Sequence, residues 1–141
     1  MKKLLVIIMV LFGVSAFSST SYEADLIARM KVLEEKAQVK LDTGTTTDMN
    51  MAIVELTEAW ENEVNTVYSL LMEKLPKAEK IKLKNEQKKW LKNREIKAKK
   101  ASKEAEGGTL APFLYGASEK GQNEDRAIEL AKRYDKLVNK K

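Results

Sequence analysis

The sequence predicts an all-α fold, a small bundle of about four helices with an antiparallel hairpin at its centre. Three observations predict it. Apolar residues recur at three- and four-residue intervals along most of the chain, the period of one helix face. No stretch alternates apolar and polar residues with the weight a half-buried strand would need. Gly44, Pro76 and Gly107-Gly108 fall between the periodic stretches, where helix breakers belong.

The first residues read as a targeting signal. Lys2 and Lys3 precede the unbroken apolar run from Leu4 to Phe12, and Val14-Ser15-Ala16 supplies small residues for cleavage. We assign residues 1–16 to a secretory signal peptide, cut after Ala16 or after Ser18. The run is well short of the roughly 20 residues a membrane-spanning helix needs, so no span is expected after cleavage. The expected location is periplasmic or secreted. No cysteine follows the signal, which excludes a lipid anchor.

The chain has neither cysteine nor histidine. It therefore has no disulfide framework, none of the common zinc sites, and no Ser-His or Cys-His catalytic pair. No cofactor or metal is expected, and the chain reads as a binding protein rather than an enzyme.

The first helix is expected over 22–41, with Leu26, Met30, Leu33, Ala37 and Leu41 on one face. With the Thr/Gly linker after it, this element (17–46) is read as an extra N-terminal helix. The second starts near Asp48, a good N-cap. It carries Ile53, Leu56, Trp60, Val64, Val67, Leu71 and Leu75 at near-heptad spacing and ends at Pro76. The third runs from 77 to 106 and stops at Gly107-Gly108. Its inner face is Leu83, Gln87, Trp90, Leu91, Arg94, Ala98 and Ala101. The fourth is expected to start at Asn123 as N-cap, with Glu124 and Asp125 in its first turn. The 107–122 connection is read as a packed lid over one end of the bundle.

Charge is partitioned. Residues 48–73 carry six acids and no base, whereas residues 74–103 carry thirteen bases against three acids. A tight turn at Pro76 makes these two helices antiparallel neighbours. The lysine-rich stretch could serve anionic lipid or wall polymer; its plainer reading is a solvated face. Nucleic acid is not an expected partner of an exported chain that lacks a recognised binding motif.

Polar side chains stand on faces that periodicity assigns to the core: Asn65, Gln87, Arg94 and Arg126. Such groups must hydrogen-bond to one another or bear a large penalty. They either surround a ligand or form a network that fixes helix register. Glu61, on the neighbouring helix, is the candidate partner for Arg94 or Arg126, because Glu95 does not face Arg94 on their shared helix. A glycosidase pair of Glu61 and Glu95 would need an open cleft, and nothing in the sequence supplies one. Tyr68 and Trp90 lie on core faces. Gly107, Gly108, Pro112, Phe113 and Tyr115 form the candidate interaction loop, since loops on rigid scaffolds concentrate binding residues.

The order of these residues carries a resemblance. The chain reads Met49, then Val64-Asn65-x-x-Tyr68, then Gln87-x-x-Trp90-Leu91-x-x-Arg94-Glu95. It continues with Gly107-Gly108-Thr109, Tyr115, Asn123-x-x-Arg126 and Leu130. Over about residues 47–139 this resembles the LprI-type lysozyme inhibitors of the bacterial envelope. Ala52, Ala98 and Ser118 stand where that family's pattern has cysteines. The resemblance implies inhibition of lysozyme or another cell-wall lytic enzyme. The alternative is an envelope structural or binding module using its basic helix.

Overall fold

A computed structural model describes residues 20–140, so the predicted signal peptide lies outside the described residues. Four α-helices follow in order: α1 Tyr22–Thr43, α2 Thr46–Lys74, α3 Lys77–Lys103 and α4 Ala111–Val138. No strand occurs among the described residues.

Side-chain pairs fix the directions. Arg29 meets Glu63 and Lys40 meets Glu55, so α1 and α2 are antiparallel. Arg94 meets both Glu61 of α2 and Glu119 of α4. Farther along, Leu71, Leu83 and Leu137 line one groove. These pairings make α3 antiparallel to α2 and to α4. The α2–α3 hairpin is therefore present, closed at Leu75-Pro76. The most extensive pairing is nonetheless α2 with α4, which run parallel; α1 lies against both, and α3 packs chiefly on α4.

The core follows from this arrangement. Leu26 and Met30 of α1, Trp60, Val64, Val67 and Leu71 of α2, Leu83 of α3 and Ala127, Leu130 and Ala131 of α4 form one buried cluster. Ala37, Ala52 and Leu56 form a second at the other end of the α1–α2 pair. Trp60 directs its indole N–H to Glu34 at 3.1 Å, and Lys120 of α4 closes on the same carboxylate at 2.6 Å. Burial opposes ionisation of Glu34, but the Lys120 ammonium and the Trp60 N–H outweigh it and lower its pKa. Three helices thus share one ion pair over a core aromatic.

The helix ends are capped. Ser21 accepts from the Ala24 N–H, and Asp135 near the end of α4 accepts from the Tyr22 and Glu23 N–H groups at 2.8 and 3.0 Å. A carboxylate at a helix N-terminus satisfies orphan donors and suits the dipole. Thr45, not Asp48, is the N-cap of α2. Asp48 is its capping-box partner, accepting from the Thr45 N–H at 2.9 Å, so the expected start was three residues late.

The largest correction concerns α4. Asn123 is not a cap; it is fully buried in mid-helix. The helix begins twelve residues earlier because Pro112 sits in its first turn, where its fixed φ suits a helix. Gly116 is tolerated inside it because the backbone there approaches Ile53 closely, an added Cβ coming within 3.1 Å of Ile53 Cγ2. The expected lid is thus mostly helix. On α1 and α3, Leu33 and Leu91 are each 42% exposed and Ala101 is exposed. These two edge helices bury narrower stripes than their periodicity suggests.

Candidate functional site

Two places in the bundle draw together the residues singled out by sequence. The first is a polar network between α2, α3 and α4. Arg94 Nη1 donates to Asn123 Oδ1 at 2.8 Å and lies 3.3 Å from Glu61 Oε1, while its Nε lies 3.6 Å from Glu119 Oε1. Asn123 Nδ2 donates to the Thr57 carbonyl at 3.1 Å. The Thr57 hydroxyl is within hydrogen-bond reach of the Ile53 and Gly116 carbonyls at 2.7 and 3.0 Å. One helical turn along, Arg126 donates to Gln87 through Nε at 3.0 Å, and through Nη1 to Glu86 at 2.6 Å and Glu129 at 2.9 Å. Trp90 lies between the two guanidiniums, whose carbons sit 5.3 and 5.8 Å from its ring centroid. Such contacts add a modest cation–π attraction.

Of the sequence-nominated set, Gln87, Trp90, Arg94 and Arg126 converge here, and Glu61 does pair with Arg94. Asn65 does not: it is exposed on α2. Its expected burial came from reading the helix face one position too wide. Tyr68 is half-buried and packs against the main cluster. Asn123, Thr57, Glu86 and Glu119 were missed. The signal for Asn123 was its three-residue offset from Arg126, which places both on one helix face. Arg133 and Arg126 converge on Glu86. The Arg133 hydrogen bond, opposed by partial burial and reinforced by Arg126, holds the Glu86 carboxyl below its usual pKa.

Each guanidinium meets carboxylates, although Arg94 Nε and Arg126 Nη2 are buried without a hydrogen bond. The depression beside them, lined in part by Trp90, Asn93, Gln122, Asp125 and Arg126, has a volume of about 230 Å³. Glu61 is held by Arg94 and Glu95 by Lys99. Among the described residues no cluster of carboxylates could hold a metal ion.

The second place is the end of the bundle that carries the α1–α2 and α3–α4 turns. Gly107 adopts φ +81°, a conformation glycine accepts without penalty. The turn is held by Gly108 N–H to the Ala105 carbonyl at 2.9 Å. Leu110 is 47% exposed at its tip. Pro112 is exposed, while Phe113 and Tyr115 are half-buried in the first turns of α4. The parallel α2–α4 register puts Met51 and Val54, both exposed, at the same end. Charge at this end is mixed: Lys99, Lys103 and Glu106 line the turn with Gly107, and Glu55 of α2 pairs with Lys40 of α1.

No described helix is long and apolar enough to cross a membrane. Ala52 and Ala98, at family cysteine positions, are fully buried, and Ser118 accepts a hydrogen bond from Gln122.

The chain was compared with known proteins. No curated protein and no solved structure shows significant similarity to it. The lysozyme inhibitor LprI family matches residues 37–130. That span starts earlier than the sequence motifs suggested and stops before the last turns of α4. It includes Glu61, Gln87, Trp90, Arg94, Asn123 and Arg126 of the polar network and the α3–α4 turn, and it leaves out Arg133 and the first part of α1. The chain belongs to the LprI lysozyme-inhibitor family.

Proposed function

We propose that the protein is an exported, non-enzymatic inhibitor of a cell-wall lytic enzyme of the lysozyme type, and that the end of the bundle formed by the α3–α4 turn makes the contact. The family match supports the activity. The observation that carries the contact is the exposed Leu110 on a glycine-shaped turn, at the end of the bundle that also exposes Met51 and Val54. Exposed apolar residues at such an end supply buried area on contact, and the charge around the turn is mixed, Lys99 and Lys103 lining it together with Glu106. A narrow turn also fits a substrate cleft better than a flat helix face does.

A lysis assay tests this with the chain lacking residues 1–16. The expected result is saturable inhibition at a fixed ratio of protein to lysozyme, lost in Leu110→Asp combined with Met51→Asp while helicity is unchanged. Absence of inhibition against lysozymes of several types removes the activity. Inhibition undiminished by the double change removes the turn end as the contact.

A further inference from the structure

The inhibitor reading leaves α3 unexplained. This helix packs chiefly on α4, and its buried residues are only Leu83, Gln87 and Ala98. Its opposite side is exposed and carries a row of lysines. Lys82 and Lys99 are answered by Glu79 and Glu95 within the helix. Lys84, Lys88, Lys89, Lys92 and Lys97 are exposed, and no carboxylate among the described residues comes within ion-pairing distance of them. The acidic helix does not neutralise them. Glu55 and Glu63 of α2 are taken by α1, and Glu61 reaches only Arg94.

Lys84, Lys88 and Lys92 follow at four-residue intervals, so like charges stack about 6 Å apart along the axis. Such spacing is unfavourable within an isolated helix. The bundle holds the row in place through the other side of α3, and a partner bearing regularly spaced negative charge would relieve it.

We propose that the exposed face of α3 is a docking surface for a linear polyanion of the phosphodiester type, such as a phosphate-bearing wall polymer. An anionic bilayer is the less suitable partner. Peripheral helices that lie in a membrane need a continuous apolar strip to insert. The large apolar residues exposed on this helix are Ile81, Leu91 and Ile96, single positions spread over about 22 Å of the axis and separated by charged or amide residues rather than joined in a strip. An elongated polymer needs no insertion. Its charges can track a row of lysines and release counterions on binding, which makes the association steeply salt-dependent.

The surface is separate from the turn end and does not depend on the inhibitor reading. Binding at α3 would keep the molecule on the wall, where lytic enzymes act, and leave the turn end free.

The test titrates the chain lacking residues 1–16 with long-chain inorganic polyphosphate over a range of salt concentrations. The triple variant Lys84→Gln, Lys88→Gln, Lys92→Gln is compared with Lys31→Gln, Lys36→Gln, Lys140→Gln, which removes equal charge elsewhere. The α3 variant is expected to lose about tenfold or more in affinity at low salt and to flatten the log–log salt slope by about 2. The control is expected to change little. Circular dichroism checks that both remain helical. Equal losses in the two variants, or no binding to polyphosphate, overturn the proposal. Binding confined to anionic phospholipid vesicles also overturns it.

Discussion

Arg94 of α3 hydrogen-bonds to Asn123 of α4 at 2.8 Å, and Asn123 carries the link on to α2 by donating to the Thr57 carbonyl at 3.1 Å. Asn123 is fully buried. Replacing it with Ala removes a buried link between three helices, leaves Arg94 to its longer contacts with Glu61 and Glu119, and opens a small cavity. Loss of a buried hydrogen bond to a charged group is worth about 1.5–3 kcal/mol. Asn123→Ala is expected to lower the urea midpoint strongly with an unchanged m-value. A single-variant loss below about 0.5 kcal/mol would be that of an ordinary surface substitution and would rule out a structural role for the link.

The two glycines inside α4 should respond oppositely. Nothing lies within 4 Å of a Cβ built on Gly121, so Gly121→Ala should stabilise by up to about 1 kcal/mol through helix propensity. At Gly116 the added carbon meets Ile53 Cγ2 at 3.1 Å. Gly116→Val is expected to destabilise by about 1–3 kcal/mol through overpacking, and Ile53→Ala in the same chain should relieve part of that. Thermal denaturation of the variants decides it; equal responses at the two positions would contradict the close α2–α4 approach.

Acid should weaken the fold through Glu86. Its carboxyl is held below the usual value of 4.5 by Arg133 and Arg126, against partial burial. A depressed folded pKa means the stabilisation is fully present above the unfolded value and is lost as pH falls through the folded one. Unfolding free energy should therefore decline below about pH 4.5, with a shallower decline in Glu86→Gln. The group is partly exposed, so added salt should reduce the difference. An acid limb identical in the variant would show that Glu86 does not contribute.

The helices were legible where one apolar stripe repeats without interruption, as from Ile53 to Leu71 on α2. Four helices and the Pro76 hairpin follow from that pattern and its breaks. The start of α4 was not legible, because Gly116 and Gly121 look like loop residues unless the approach of Ile53 is known. Tertiary packing decides that point, and a local reading cannot see it. The polar network was half legible. Gln87, Arg94 and Arg126 declared themselves as charge and amide on a core face. Asn123 was hidden by its resemblance to a cap, and Asn65 was drawn in although it points to solvent. The 107–122 stretch, read as a packed lid, is mostly the first turns of α4, with Leu110 exposed and Phe113 and Tyr115 half-buried.

The Asp135 cap on the first turn of α1 has a geometric consequence. Tyr22 stacks edge-on against Tyr134 at 5.4 Å beside it, and Thr20 and Asn139 line the same groove. Both ends of the described chain therefore leave the bundle at one pole. The turns at Gly44 and Gly107 lie at the other, about 40 Å away along helices of this length. A tag, tether or fused domain added at either end would hang from the same pole, giving the molecule a handle and a tip. Immobilisation through either end should leave the tip facing outward, and a short linker joining the two ends would close the chain without crossing it.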